Sequence, residues 1–430
     1  MERGAQIVQI PQKIIDEMIS RRRDFHKYPE RGWAEFRTTA VCAEVLGRLG
    51  WSVRFADEFI EPSRVMGRDA DAQAEKRRAL EQGAPAETLS RIGEYTGLCA
   101  ELRCGCGPLT VMRFDIDCVE TAESAEASHR PAALGFASVN AGLSHSCGHD
   151  GHAAVGLALA EMLSSARQKL RGTIRFIFQP AEEGVRGGYA CAPLAAGADS
   201  FIAMHLGLGL PTGHICGGTG GFLCSTKFDA EFKGAAAHAG GEPERGRNAL
   251  LAAAQAALAI HSIAPHSGGV MRVNVGVLRA GEGRNVVPPH ALMKIETRGE
   301  NGEVASYAYE RAVQSLKGAA QMYGAELSIK KQGETITAES DEKLAQIVAD
   351  EALSIPGVTK TELFRRMPGS DDACWLMRET QKSGGLATYV CIGADTAAGH
   401  HNGAFDLDEA ALPIALEVLY GTVMRINRAL

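Results

Sequence analysis

Within nine residues, Ser144-His145-Ser146-Cys147-Gly148-His149-Asp150-Gly151-His152, the chain places three histidines, a cysteine and an aspartate. Sulfur and imidazole donors at this density suit a transition-metal site, with Cys147 and His149 as the leading pair. Two ligands do not complete a site, and further donors follow a pattern of their own. Leu109–Phe114 is a short apolar run ending in Asp115, with Asp117 two residues on. Thr173–Phe178 is β-prone and runs into Gln179-Pro180-Ala181-Glu182-Glu183-Gly184. Ser200–Met204 ends in His205, and Ala387–Ile392 is soon followed by Ala398-Gly399-His400-His401-Asn402. One such residue at a strand exit is chance; the recurrence marks a common edge where strand ends meet.

Cys147, His149, Glu183, His205 and one of His400 or His401 together exceed what a single tetrahedral zinc needs. The mixed set suits two divalent cations that share a bridge, Zn, Mn or Co rather than Mg or Ca. Two such ions ~3.5–4 Å apart can activate a shared water. Glu182 sits beside a ligand without being needed as one, so it is the natural general base for that water. Each histidine taken alone reads as a structural residue, and the whole set as a closed structural zinc. Long-range spacing and the absence of a CxxC knuckle speak against the closed zinc.

The elements that position these donors follow from periodicity. Apolar spacing predicts helices over 12–28 and 38–49, a buried helix over 153–163, strands at the four runs above, a helix over 341–354 and a closing helix from Asp408 to Leu419. Residues 61–97 are charged, alanine-rich and aromatic-poor and read as a surface insertion. From about Gly220 the pattern changes. Thr226–Gly234 alternates, with Phe228, Ala230 and Phe232 on one face and charged residues on the other, as in an antiparallel strand with one solvated side. A helix over 248–263, strands over 272–278 and 292–298, a helix over 303–323 and a strand over 326–331 complete a βαββαβ order, that of a ferredoxin-like unit inserted into the first domain.

Composition sets the outer limits. A chain of 430 residues exceeds one compact core. A net charge of −7 argues against a nucleic-acid or anionic-membrane partner. No apolar run is long enough to span a bilayer, and the stretch MERGAQIVQIPQKIIDEM lacks the apolar region of a secretory signal. The eleven cysteines are an odd number without repeated spacing and read as reduced, so a cytoplasmic location is expected.

HSCGHDGH, QPAEEG, AMHLG and HHNGAFDLDE resemble the signature blocks of the M20 metallopeptidase family, in its amidohydrolase branch. RRRDFHKYPERGWAEFRT, TKFDAEFKGAAAHAGGEPERGRNALLAAAQAALAIHSIAPHS and RVNVGVLRAGEGRNVVP extend the resemblance over essentially the whole chain. It implies an α/β fold: a di-metal aminopeptidase-like catalytic domain, a mixed sheet flanked by helices, over 1–219 and 333–430. Into this is inserted a ferredoxin-like α+β lid and dimerisation domain over 220–332. It also implies two divalent metal ions, Mn²⁺ or Zn²⁺, with Cys147 as bridging ligand and His149, Glu183, His205 and His401 as the others. His401 is taken over His400 because the family block reads His-x-x-x-Phe and Phe405 lies four residues after His401.

By the same resemblance Glu182 is the catalytic base and Asp115 an aspartate that orients a ligand, with Asp150, His152 and His145 as supporting neighbours. On the inserted domain, His238 matches a histidine that in relatives reaches into a partner protomer's site and stabilises the developing oxyanion. Asn285 and Arg298 match residues that hold the substrate α-carboxylate. Asp371 stands where the family more often has Glu. The implied activity is hydrolysis of an N-acyl amino acid, with p-aminobenzoyl-glutamate, split to p-aminobenzoate and glutamate, as the nearest match. A hippurate-like or N-acetyl substrate, or a non-catalytic subunit, is the alternative. The implied assembly is a homodimer, or a heterodimer with a paralogous B subunit, formed through the lid domain.

Overall fold

The donors meet because of strand direction. The computed structural model describes residues 10–367 and 369–429; residues 1–9, the start of the stretch read for a signal segment, lie outside them. The chain begins with α1 (Gln12–Lys27), α2 (Phe36–Arg48), β1 (Ser52–Phe55), α3 (Ala72–Glu81), α4 (Ala86–Ser90), β2 (Leu98–Arg103) and β3 (Leu109–Asp115). Next come α5 (Arg130–Ala133), α6 (His149–Ser165), β4 (Thr173–Gln179), α7 (Gly188–Cys191), β5 (Ser200–Leu206) and β6 (His214–Gly220). Then follow β7 (Cys224–Lys233), α8 (Ala249–His261), β8 (Met271–Ala280), β9 (His290–Gly299), α9 (Gly302–Met322) and β10 (Glu326–Thr335). The chain closes with α10 (Glu342–Ala352), β11 (Lys360–Arg366), α11 (Ala373–Lys382), β12 (Leu386–Ile392) and α12 (Ala411–Asn427).

Eight strands form one mixed sheet in the order β1-β2-β4-β3-β5-β12-β6-β11. Its centre, β4, β3, β5 and β12, is parallel throughout, so all four carboxyl ends emerge at one edge. That edge is where open α/β sheets bind ligands. Strands covered on both faces read as continuous apolar runs. Phe114, Phe176, Phe178, Met204 and Val390 pack with α6 and α12, while Val111, Ile177, Phe201 and Tyr389 pack on the other face with α11. The buried α6 starts after Gly148, whose φ of 91° turns the chain into the helix. A Cβ on Gly156 would lie 2.9 Å from the Phe114 ring, so glycine lets α6 lie close on β3.

The other four strands form an antiparallel sheet in the order β10-β7-β9-β8. Phe228, Ala230, Phe232, Met293 and Ile295 bury one face under α8 and α9. The opposite face carries Lys227, Asp229, Lys294 and Glu296 and looks across a cleft at Arg68, Glu120 and Arg186 of the larger unit. Hydrogen bonds root the smaller sheet in the larger unit: Thr335 Oγ1 donates to the Asp371 carbonyl (2.8 Å), Trp375 Nε1 to that of Glu334 (2.9 Å), Ser370 Oγ to that of Leu223 (2.8 Å) and the Glu334 N–H to that of Val185 (2.9 Å).

Residues 61–97 differ from the surface insertion expected. Ala72, Ala79, Ala84, Leu89 and Ile92 join the main core, and Trp33 Nε1 donates to the Met66 carbonyl at 2.8 Å. Small side chains bury here in a segment whose composition reads as solvated. Among the described residues no helix is long and apolar enough to cross a membrane.

Candidate metal centre

Three turns and two strand ends converge at the carboxyl edge of the large sheet. Cys147 Sγ lies 3.6 Å from His205 Nε2 and 3.6 Å from His400 Nδ1. It is shared by two donor groups, Cys147–His205–His400 and Cys147–Glu183–His401, with the donor atoms of each group within 4.8 Å of one another. His149 joins Glu182 and Glu183 in a third such group.

Hydrogen bonds fix which ring nitrogens are free. His149 Nδ1 donates to the Asp117 carbonyl (2.8 Å) and His205 Nδ1 to that of Leu206 (2.8 Å). In each neutral ring Nε2 then carries the lone pair and is the atom free to ligate a metal. His149 Nε2 and Glu183 Oε1 are buried without hydrogen-bond partners. Leaving such groups unpaired costs on the order of 1–3 kcal/mol each, and a divalent cation among these donors would satisfy both. His401 Nε2 stands 3.2 Å from that same Glu183 oxygen but off the line of a hydrogen bond, as two ligands of one ion would. His400 differs. Its Nε2 accepts the Leu208 N–H at 3.1 Å, so its proton sits on Nδ1 and points at the Cys147 sulfur. Of the two neighbours, His401 is the one with a nitrogen free to ligate. Burial pushes the Cys147 thiol up to about 12, so its thiolate at neutral pH needs a cation. The residues present fit a pair of transition-type divalent ions.

The loop carrying Glu182 and Glu183 is held by carboxylates from elsewhere. Asp117 accepts the N–H groups of Glu182 (3.1 Å) and Glu183 (2.9 Å), and Glu35 accepts that of Ala181 (2.8 Å). Ala181 and Val185 adopt left-handed φ of 53° and 58°. Each such residue costs roughly 1–2 kcal/mol, which these contacts offset. Glu182 Oε2 ends 3.9 Å from His149 Nε2. Burial raises the Glu182 carboxyl well above its ordinary range, and the charges of Asp371, Glu183 and Asp372 raise it further.

Beneath these acids lies Arg113, fully buried. It pairs with Asp115 (2.6 Å), Asp371 (3.3 Å) and Asp372 (3.1 Å). Asp115 also accepts from His152 Nδ1 at 2.5 Å, and His152 Nε2 accepts the Leu206 N–H at 3.0 Å. Burial alone would raise Asp115; Arg113 and the two histidines outweigh it and hold the carboxyl well below the usual range. Asp371 accepts the Tyr389 hydroxyl at 2.7 Å.

Neither of two residues expected to support ligands hydrogen-bonds to one of the donors. Asp150 turns to α1, where it pairs with Arg22 Nε (2.8 Å) and His26 Nδ1 (2.8 Å). His145 is buried with neither ring nitrogen hydrogen-bonded, tilted against His26, and burial lowers it to about 3. Both lie close to the donors in sequence, yet Asp150 turns to Arg22 and His26, and His145 packs against His26.

Arg298, on β9, lines a separate cavity beside Leu223 and Arg366 and is paired with Glu296 at 3.1 Å. His238 and Asn285 are exposed on adjoining loops, where the Ala239 N–H donates to the Asn285 carbonyl at 2.9 Å. These loops lie beyond the Lys233–His290 end of the sheet, whereas Arg298 sits at the Ser225 end. Strands of this length separate the two ends by roughly 30 Å. A single chain therefore does not bring His238 and Asn285 to Arg298.

Sequence reasoning missed Glu35, Arg113, Asp372 and the His400 contact. Arg113 had a signal: a cation inside an apolar strand must find buried carboxylates.

The chain is similar to known proteins over nearly its whole length. The model of Peptidase family M20/M25/M40 matches residues 111–425, from within β3 to within α12. The chain is 46% identical to the A subunit of p-aminobenzoyl-glutamate hydrolase of Escherichia coli K12 over 410 residues, 94% of each chain. It is 45% identical to indole-3-acetyl-aspartic acid hydrolase of Enterobacter agglomerans over 421 residues, 96% of each. The crystal structure of an aminobenzoyl-glutamate utilization protein from Klebsiella pneumoniae matches with a TM-score of 0.83 and 37% identity, covering 98% of both chains. With the family model spanning the whole carboxyl edge, the chain belongs to peptidase family M20/M25/M40 and is a hydrolase of amide bonds.

Proposed function

We propose that this chain is a two-metal amidohydrolase that splits p-aminobenzoyl-glutamate into p-aminobenzoate and glutamate. The observation that carries the reading is Glu182, a buried carboxylate kept basic beside the Cys147-centred donors, in a chain 46% identical to a hydrolase of that compound. Cys147, His149, Glu183, His205 and His401 would hold the two ions, Mn²⁺ or Zn²⁺. Bound there, such ions would supply Lewis acidity to the scissile carbonyl and to a water. The Glu182 carboxylate takes the proton from that water as it attacks, then delivers it to the amide nitrogen as the C–N bond breaks. A carboxyl with a raised pKa suits both halves of that transfer. Asp117 holds the loop that aims Glu182, and Asp115 with His152 braces the wall behind it.

Arg298 binds the substrate α-carboxylate through its planar fork. His238 and Asn285 act on the site of a second protomer, because their own sheet carries them to its far end. The four-stranded unit is then both lid and dimerisation domain. Its unpaired β8 edge and α8 offer the surface: Leu258 (71% exposed) and Leu278 (40%) line an apolar groove with Ala254, Ala257 and Val275. An uncovered edge strand of this kind invites pairing. The partner is a second copy or a paralogous B subunit. The described cysteines are all free, which suits a reducing cytoplasm.

The test is release of p-aminobenzoate by the purified chain supplied with Mn²⁺ or Zn²⁺, and its disappearance in Glu182→Ala with metal still bound. Indole-3-acetyl-aspartate is the second substrate to compare, because a hydrolase of that compound is nearly as similar. Absence of turnover on both by metal-loaded protein, alone and with a B subunit, would defeat the reading.

A further inference from the structure

In the antiparallel pair β8–β9, Arg272 stands directly opposite Arg298. Like charges directly opposite on neighbouring strands are destabilising, so such a pair calls for an anion. Arg298 has Glu296 at 3.1 Å, and Glu296 also holds Lys227 at 2.7 Å. Arg272 donates from Nη1 to the adjacent Met271 carbonyl at 2.8 Å, and among the described residues no carboxylate pairs with it. Both guanidiniums line a cavity of about 760 Å³ that also contains Arg366, Glu296, Glu300 and the apolar side chains of Leu223 and Met367. Arg366 stands 3.8 Å from Glu300. Three cations thus face two carboxylates, and the one left over is Arg272. The volume falls in the range of small-molecule sites.

The register also places this pair relative to the catalytic base. Thr335, Ser225, Arg298 and Arg272 form one row across the sheet. Thr335 bonds the Asp371 carbonyl, and the Asp371 carboxylate belongs to the same cluster as Glu182. Strands lie ~4.8 Å apart, so Arg298 is two steps from that anchor and Arg272 three. One strand spacing is comparable to the distance between the two carboxylates of an acidic amino acid.

We infer that Arg272 binds the side-chain carboxylate of the substrate's amino acid and so sets a preference for glutamate or aspartate conjugates over neutral ones. The inference rests on the amidohydrolase reading, with Arg298 on the α-carboxylate. The experiment compares kcat/KM for p-aminobenzoyl-glutamate and p-aminobenzoyl-glutamine, and for N-acetyl-glutamate and N-acetyl-glutamine, in metal-loaded wild type, Arg272→Gln and Arg298→Gln. Wild type should favour the glutamate member of a pair. Arg272→Gln should lose roughly 30- to 100-fold on that member, mainly in KM, with the glutamine member little changed. Arg298→Gln should weaken both alike. A wild type that treats the two members equally, or an Arg272→Gln variant that loses both or neither, overturns the inference. Turnover confined to the acetyl pair would sink the p-aminobenzoyl reading while still judging Arg272. If no compound turns over, equilibrium binding of the same pairs decides, and equal affinities of wild type for both members overturn the inference.

Discussion

Glu182 and Glu183 are adjacent, yet one faces the buried acids and the other faces His401, because Asp117 pins both of their N–H groups. Asp117→Ala removes that pin and leaves the Asp117 carbonyl, on which His149 rests, in place. The expected result is a metal affinity lower by about 10- to 100-fold, with a further loss of kcat at saturating metal. A metal titration followed by steady-state assay measures both, and an unchanged affinity would show that the loop holds itself. Cys147, His149 and the Glu182-Glu183 pair were legible in the sequence because donor residues cluster there at strand exits. Asp117 was visible only as an acid at a strand end, since its partners are backbone groups 65 and 66 residues away. Glu35 left no trace at all, and Asp150 and His145 misled because proximity in sequence does not fix direction at a turn.

At the scale of elements, α1, α6 and the segment leading into α12 are joined by a buried cation. Arg22 pairs with Asp150 (2.8 Å), Asp406 (2.7 Å) and Glu409 (3.3 Å). Arg22→Met should destabilise the fold by ~3–5 kcal/mol, because it leaves carboxylates buried without their partner; equilibrium denaturation measures it, and a loss under 1 kcal/mol would be about what a surface pair gives. On the smaller sheet, burial raises the Glu296 carboxyl, but Lys227 and Arg298 outweigh it and hold it at about 2. A depressed carboxyl contributes stability above its unfolded value, and that contribution fades as pH falls toward the folded one. Glu296→Gln should therefore cost about 1 kcal/mol at neutral pH once solvent screening is allowed for. The difference from wild type should stay constant down to about pH 4.5 and shrink below it, which melting curves across pH 3–7 would reveal. The four parallel strands and the βαββαβ unit were readable from unbroken apolar runs and strict alternation. Strand β11, KTELFRR, has neither signal, being an edge strand with charges along it, and 61–97 buries alanines that composition assigns to solvent.

At the scale of the molecule, the proposed function divides labour between the two ends of one sheet. On that reading the root of the sheet, with Arg298, serves its own chain's site, to which Thr335 ties it through the Asp371 carbonyl. The tip, with His238 and Asn285, lies at the far end of the sheet and on the same reading serves another protomer. This makes the assembly testable without a structure of it. Glu182→Ala and His238→Ala homodimers should each be nearly inactive. In a heterodimer of the two, one site has both defects while the other combines an intact Glu182 with an intact His238 from its partner. After subunit exchange, the mixture should regain roughly a quarter of wild-type activity, since about half the dimers are mixed and each carries one good site of two. Recovery at that level, appearing with the time course of exchange, would establish that the site is completed in trans. If mixing restores nothing although exchange is demonstrated by mass, His238 acts within its own chain, and the sheet must then close by far more than a local adjustment at its root.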